Sequence, residues 1–186
     1  LTLSNVVIDG AEYSVDAAHA AETDSIIKAA NGGTIVLNRG AILQNNKAAQ
    51  FGSGILANNG VNITMEDGAI IRNNTNRNYE LGGGIMIGNG STFTMNGGEI
   101  SGNQAASEGG AVHVYGTSTF NLSGGKITGN SSVDGGAIYL NREPSVLNMS
   151  GGVISGNTAT GNGGGVYIFR TGSVCNLSGG TIEKNT

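Results

Sequence analysis

One segment of eleven residues, in which apolar and polar positions alternate before a Gly-Gly pair, recurs through the second half of the chain. Its copies are FTMNGGEISGN at 93–103, FNLSGGKITGN at 120–130, LNMSGGVISGN at 147–157 and CNLSGGTIEKN at 175–185. In each copy two apolar residues flank a polar one, as Phe93 and Met95 flank Thr94. This period of two predicts a short strand with one buried face, and the Gly, Asn and Ser residues around it predict turns.

The repeat keeps a nearly constant period along the whole chain. Its second apolar residue recurs after 34, 28, 30, 27, 27 and 28 residues, at Leu3, Leu37, Met65, Met95, Leu122, Met149 and Leu177. An isoleucine series keeps step with it, at Ile8, Ile42, Ile70, Ile100, Ile127, Ile154 and Ile182. An asparagine series follows, at Asn45, Asn73, Asn103, Asn130, Asn157 and Asn185. The first interval is longer because residues 11–24 form an insertion, whose Ala-rich DAAHAAE segment favours one short helical turn.

Further apolar series occupy the same period. One runs through Ile35, Ile63, Phe93, Phe120, Leu147 and Cys175, and two more define a strand between the copies, at Ile27, Ile55, Ile85, Val112, Ile138 and Val166 and at Ala29, Ala57, Ile87, Val114, Leu140 and Ile168. Three short strands per period suit a coil that rises by one strand spacing, about 4.8 Å, per turn. We therefore expect one all-β domain over residues 1–186, a right-handed, single-stranded parallel β-helix solenoid of about six turns.

The composition narrows the classes of function. The 186 residues include 34 Gly and one Cys and carry a net charge of −4. Scattered Lys and Arg provide no basic surface for nucleic acid or an anionic membrane. No apolar run approaches the roughly 20 residues that span a bilayer. Because no signal peptide opens the chain and both ends lie inside the repeat, we expect a piece of a longer protein, with further repeats as neighbours.

The alternation of GGxISGN with GGxVYI resembles the right-handed parallel β-helix repeats of the pectin-lyase-like superfamily. The segments GGEISGN at 97–103 and GGGVYI at 163–168 show the two motifs. The likeness covers nearly the whole chain and is closest to adhesin-like bacterial surface proteins, which implies an extracellular module at the cell surface. The superfamily also includes polysaccharide lyases and hydrolases, so the resemblance leaves the function open.

Glu108 and Asp134 are the candidate catalytic residues if the chain is a polysaccharide lyase or glycoside hydrolase. Each lies four residues before a strand residue, Val112 or Ile138, so we expect the two carboxylates to stack one turn apart at a corner. Such a pair suits acid–base chemistry or a weak calcium site, and two solvated corner residues give the same pattern. Because no convergent acid–base set is visible and the two histidines are far apart, we predict a non-enzyme without cofactor or metal.

An amphipathic stripe is the candidate ligand-binding face. The outward position of the GGxVYI strand is occupied by Leu56, Met86, His113, Tyr139 and Tyr167. Arg142 and Arg170 follow at the end of this strand, near Tyr115 and Phe169. Aromatic rings beside Arg suit a glycan or a protein surface, although Tyr is also favoured on surface strands that bind nothing. We expect a rigid spacer with an adhesive face for a glycan or a host surface protein.

Cys175 is the only cysteine, which excludes an internal disulfide. It belongs to the inward series of Phe93 and Phe120. We therefore expect a buried packing residue with an unreactive thiol.

Overall fold

Three long parallel sheets form the fold. The structure, a computed structural model, describes residues 1–10, 24–48, 51–77, 81–142 and 144–186. Sheet A contains the strands Thr2–Leu3, Thr34–Leu37, Asn62–Met65, Thr92–Met95, Thr119–Leu122, Val146–Met149 and Val174–Leu177. Sheet B contains Val7–Asp9, Ile42–Gln44, Ile70–Arg72, Glu99–Ser101, Lys126–Thr128, Val153–Ser155 and Thr181–Glu183. Sheet C contains Ile27–Ala30, Ile55–Asn58, Ile85–Gly88, Val112–Tyr115, Ile138–Asn141 and Val166–Ile168.

Two shorter sheets lie at the corner between sheets B and C. One pairs Lys47–Ala48 with Thr75–Asn76, and the other pairs Ser131–Ser132 with Thr158–Ala159. Strands pair in parallel throughout, each with its equivalent in the neighbouring coil, as Thr92 pairs with Asn62 on one side and Thr119 on the other.

The predicted parallel β-solenoid with three strands per coil is therefore confirmed. The described ranges contain no helix, so none of their elements qualifies as a membrane-spanning helix. The predicted helical turn and His19 lie outside the described residues.

Four of the five predicted apolar series form buried columns in register. The column that begins at Ile35 is at most 1% exposed as far as Leu147. Within it the rings of Phe93 and Phe120 stack almost parallel, with centroids 4.7 Å apart and an interplanar angle of 8°. Since each residue packs on its equivalent in the next coil, the core runs continuously along the solenoid axis.

The predicted isoleucine column is wrong in two coils. Ile8 pairs with Leu43 rather than Ile42, and Ile100 pairs with Ile71 rather than Ile70. These two coils have one more residue at the corner between sheets A and B, and a shift of one residue turns a side chain to the opposite face of its strand. Leu43 and Ile71 are fully buried, while Ile42 and Ile70 point outward and are half-buried.

The predicted asparagine series is wrong in the same two coils, where it is displaced by one residue. Its first two members are Asn46 and Asn74 rather than Asn45 and Asn73, since Asn46 N–H donates to Asn74 Oδ1 at 3.1 Å and Asn74 N–H donates to Asn103 Oδ1 at 3.0 Å. Asn45 and Asn73 instead hold the left-handed backbone, with φ of 59° and 55°. The next three coils have Gly at that position, which adopts positive φ without strain, and the last coil has Lys184 there, with a φ of 54°.

The last coil is less buried than its column predicts. Cys175 pairs with Leu147 as expected, yet its side chain is only half-buried, so the prediction of full burial is wrong. The physical reason is that, among the described residues, no further strand packs on the far side of Val174–Leu177. Partial burial still raises the pKa of the Cys175 thiol, which favours the less reactive protonated form.

Candidate functional site

The predicted amphipathic stripe lies in one column on the outward face of sheet C. Met86 pairs with Leu56 and His113, and Tyr139 pairs with His113 and Tyr167. The expectation that this column forms an open surface is wrong for its middle members. His113 is 0% exposed and Tyr139 is 1% exposed, and only Tyr167 at the end is half-buried.

The corner that precedes each strand of sheet C covers this column. At Gly135 the backbone has a φ of 65°, and a Cβ there would lie 2.9 Å from Tyr139 Cβ. At Gly163 the corresponding distance, to Tyr167 Cβ, would be 2.6 Å. Only a residue without a side chain allows such close approach, so the Gly-Gly pairs of the sequence fold the corners over the stripe.

An aromatic cluster joins the stripe to the exposed end of sheet C. The Tyr139 ring centroid lies 5.3 Å from that of His113, 5.4 Å from that of Tyr167 and 5.9 Å from that of Phe169. Tyr115 extends the cluster on the other side, with its centroid 6.1 Å from that of His113. Phe169 is 43% exposed and Tyr115 and Tyr167 are half-buried, so these three rings form the accessible part.

Both predicted arginines lie over rings of this cluster. The Arg142 guanidinium carbon is 5.1 Å from the Tyr115 ring centroid, and that of Arg170 is 4.4 Å from the Phe169 ring centroid. A cation–π contact of this kind attracts the guanidinium to the ring face, while its N–H groups can still donate hydrogen bonds. Within the described part of the chain neither arginine has a carboxylate within 4 Å. The five residues Tyr115, Tyr167, Phe169, Arg142 and Arg170 are called the aromatic–arginine face below.

Glu108 contacts the buried side of the cluster, which the sequence did not indicate. Its Oε2 lies 3.4 Å from His113 Nε2, and Asn141 Nδ2 donates to the same oxygen at 3.4 Å. Burial lowers the pKa of His113, and the neighbouring Glu108 opposes that effect. Burial also raises the pKa of Tyr139, with a further contribution from Glu108. Burial therefore favours the neutral form of His113. Neither of its ring nitrogens has a well-aligned hydrogen-bond partner among the described residues.

Glu108 and Asp134 stack one coil apart, as predicted, in an isolated parallel bridge. Their side chains make different contacts. Asp134 Oδ1 accepts hydrogen bonds from Asn162 N–H at 2.7 Å and from Asn162 Nδ2 at 2.9 Å, so this carboxylate orders the next corner. Over the described ranges no three His, Cys, Asp or Glu side chains converge to hold a metal ion. The prediction of a non-enzyme without metal is therefore untested, as are the alternative catalytic and calcium-binding roles of the pair.

Comparison with known proteins identifies the family. No curated protein and no solved structure matches the chain. A family model described as a right-handed β-helix region matches residues 4–186. The match covers nearly all coils described above, and the chain therefore belongs to the right-handed β-helix family.

Proposed function

We propose that the chain is a rigid repeat module of an extracellular bacterial surface protein, acting as a spacer that presents a binding face for glycans. The observation that carries the spacer role is the unbroken register of sheet A, whose seven strands pair from Thr2–Leu3 to Val174–Leu177. At about 4.8 Å per strand spacing, this stack extends for roughly 30 Å without a hinge. Further coils would lengthen such a rod without changing its topology.

The aromatic–arginine face supports the binding role. Tyr115, Tyr167 and Phe169 offer partly exposed rings that could cover the apolar face of a sugar, and the two stacked guanidinium groups could bond to its hydroxyl or carboxylate groups. The face is shallow, so each site would bind weakly, and many copies on one surface would be needed for avidity. A host surface protein is the other partner that this chemistry would suit.

Neighbouring repeats are the second partner that we propose. Leu177 and Ile182 are 59% and 42% exposed, although Met149 and Ile154 in the same columns are at most 1% exposed. A further coil of the same repeat would bury these side chains as every other coil does. With a net charge of −4, the chain offers nucleic acid no electrostatic attraction, and we propose no insertion of this segment into a membrane.

Binding of a multimerised form of the chain to a glycan array and to host cells tests the adhesive role. We expect a Tyr167→Ala, Phe169→Ala variant, and separately an Arg142→Ala, Arg170→Ala variant, to lose binding. Thr94→Ala on the outward face of sheet A is the matched surface control and should keep it. Equal binding by all four proteins would remove the adhesive role and leave only the spacer.

The alternative is a polysaccharide lyase or hydrolase, and the contact between Glu108 and the buried His113 is the observation that favours it. We propose that the chain is not an enzyme, because Asp134 is engaged by Asn162 and successive coils are nearly identical. A screen against pectic and other uronic polysaccharides decides the matter. Turnover that is lost in Glu108→Gln or Asp134→Asn would establish the enzyme instead.

A further inference from the structure

The chain contains five Asn-Gly steps, at Asn31, Asn59, Asn89, Asn96 and Asn162. An asparagine before glycine is the step most open to loss of its side-chain amide, because glycine has no Cβ to hinder its own nitrogen from reaching the side-chain carbonyl carbon. Reaction also requires that the glycine N–H and the asparagine side chain are both free to move. The structure distinguishes the five steps by these two requirements.

Three of the steps stack above one another at the corner between sheets C and A. Asn31, Asn59 and Asn89 share a left-handed backbone, with φ of 60°, 59° and 49°. In the first two the following glycine is fixed, since Gly32 N–H donates to Asn59 O at 3.0 Å and Gly60 N–H donates to Asn89 O at 3.1 Å. Gly90 N–H has no acceptor within the described residues, and both Asn89 and Gly90 are exposed.

In the remaining two steps the asparagine side chain is fixed. Asn96 Nδ2 donates to Glu66 Oε1 at 2.9 Å, while Asn96 Oδ1 accepts from Ser123 Oγ at 3.1 Å. Asn162 Nδ2 donates to Asp134 Oδ1 at 2.9 Å. The Asn89 side chain has no such bond to any described residue, so this step alone lacks both restraints.

We propose that Asn89 is a site of spontaneous deamidation, selected by the fold from the five Asn-Gly steps. The Gly90 nitrogen loses its proton to hydroxide and attacks Asn89 Cγ. The bond from Cγ to Nδ2 breaks, the amide nitrogen takes a proton from water and leaves as ammonia, and a cyclic succinimide forms. Water then opens the ring at either carbonyl, which yields aspartate or isoaspartate. No oxidant, reductant or enzyme is required.

The product places a negative charge on the corner that leads into the aromatic–arginine face. A Cβ on Gly116, in the next coil, would lie 3.5 Å from Asn89 Oδ1. Arg142 follows Gly116 at this corner and also has a positive φ, of 67°. A carboxylate at residue 89 therefore lies at the edge of the surface that carries Arg142, and isoaspartate additionally lengthens the backbone there.

Peptide mapping by mass spectrometry after incubation of the native chain at mildly alkaline pH tests the proposal. Incubation in heavy-oxygen water labels each site that passes through the succinimide. We expect label and loss of the unmodified peptide at Asn89 first, with Asn31, Asn59, Asn96 and Asn162 unchanged over the same time. The same chain in denaturant is the matched control and should be labelled at all five steps.

Two outcomes would overturn the proposal. One is an Asn89 that stays intact in the native chain while the denatured chain is modified. The other is modification of Asn31 or Asn59 as fast as that of Asn89. These steps share its backbone conformation but have a bonded glycine, and Asn59 Nδ2 also donates to Asn31 Oδ1 at 3.3 Å. An Asn89→Gln variant should remove the earliest product and leave the slower ones as they were.

Discussion

At the scale of single residues, the buried asparagine ladder gives each coil a fixed polar contact with the next. The ladder consists of Asn46, Asn74, Asn103, Asn130, Asn157 and Asn185. Asn130 Oδ1 accepts from Asn103 N–H at 2.9 Å and from Asn103 Nδ2 at 3.0 Å, and Asn130 Nδ2 donates to Ile100 O at 3.0 Å. Only an amide side chain offers an acceptor and two donors at this position, so the ladder satisfies buried backbone groups that the corner would otherwise leave unpaired.

Replacement of Asn130 by alanine should destabilise the fold strongly. Two buried donors of Asn103 would lose their acceptor, at about 1–3 kcal/mol each, so we expect the free energy of unfolding to fall by roughly 2–6 kcal/mol. Chemical denaturation measures it. Asn62→Ala, an exposed asparagine of sheet A, is the control and should stay within about 0.5 kcal/mol of the parent. Similar losses in both variants would show that the ladder has no special role.

His113 should make stability depend on pH in the range where histidine titrates. Its pKa is lowered in the fold from an ordinary value of 6.5 because it is buried. Below that value the unfolded chain binds a proton that the folded chain does not, so the free energy of unfolding falls as pH decreases. We expect this loss to begin as pH drops through 6.5 and to continue towards the lower folded pKa.

Denaturation at a series of pH values between about 5.5 and 7.5, a window around the histidine pKa, checks the His113 prediction. His113→Phe keeps a ring in the aromatic cluster and removes the titrating group, so its stability should vary less over that window. His19 is present in both proteins, so its contribution to the pH dependence of stability cancels in the comparison. A parent and a variant with the same pH dependence would contradict the assignment.

At the scale of elements, the strands are too short to be stable alone and depend on their columns. Phe93 and Phe120 show the effect, since each ring is 0% exposed only because the other and the neighbouring coils cover it. The columns also set the register. In two coils the corner has one extra residue, and the strand shifts so that Leu43 and Ile71 enter the core in place of Ile42 and Ile70.

Truncation of a side chain should lower the free energy of unfolding less when the side chain lies near the exposed end of its column. Phe120→Ala should lower the free energy of unfolding by about 3–5 kcal/mol, because it leaves a cavity between two packed coils. Cys175→Ala, in the same column but half-buried, should cost about 1 kcal/mol or less. Thermal or chemical unfolding of the two variants measures the difference. Equal costs would mean that burial along the column is uniform, contrary to the structure.

At the scale of the whole molecule, stability should be distributed along one dimension. In the described part of the chain, each strand of the three long sheets pairs with its equivalents in the coils before and after it, so an inner coil has two interfaces. Sheet edges are the places where such a stack opens first. Among the described strands, Thr181–Glu183 has a partner on one side only, while Lys126–Thr128 is paired on both sides.

Amide hydrogen exchange should follow this order. We expect the slowest exchange in the strands around Phe120 and Ile127, and faster exchange in Val174–Leu177 and Thr181–Glu183. Exchange measured by mass spectrometry on the native chain gives the profile. The isolated chain should first be shown to be a monomer by sedimentation. If Thr181–Glu183 in that monomer is then protected as well as Lys126–Thr128, the result contradicts a nearest-neighbour stack.

The sequence by itself determined the period, the three strands per coil and most inward columns. A stacked coil repeats one set of local requirements in every turn, so self-similarity along the chain reports directly on contacts between coils. It also placed Glu108 beside Asp134 and Arg142 near Tyr115. These placements follow from counting residues within one period and need no knowledge of side-chain packing.

Only the tertiary structure decided features that depend on how the corners fold. Ile42 and Leu43 are both apolar, so the pattern could not fix which of them enters the core. His113 and Tyr139 occupy outward positions, yet the Gly-Gly corners cover them, and a period of two describes the two faces of a strand but not what lies above each face. The contact between Glu108 and His113 depends on atoms that meet across coils at irregular corners. The same holds for the Gly90 N–H, which has no acceptor among the described residues. At these corners the repeat varies, and residue counting no longer specifies position.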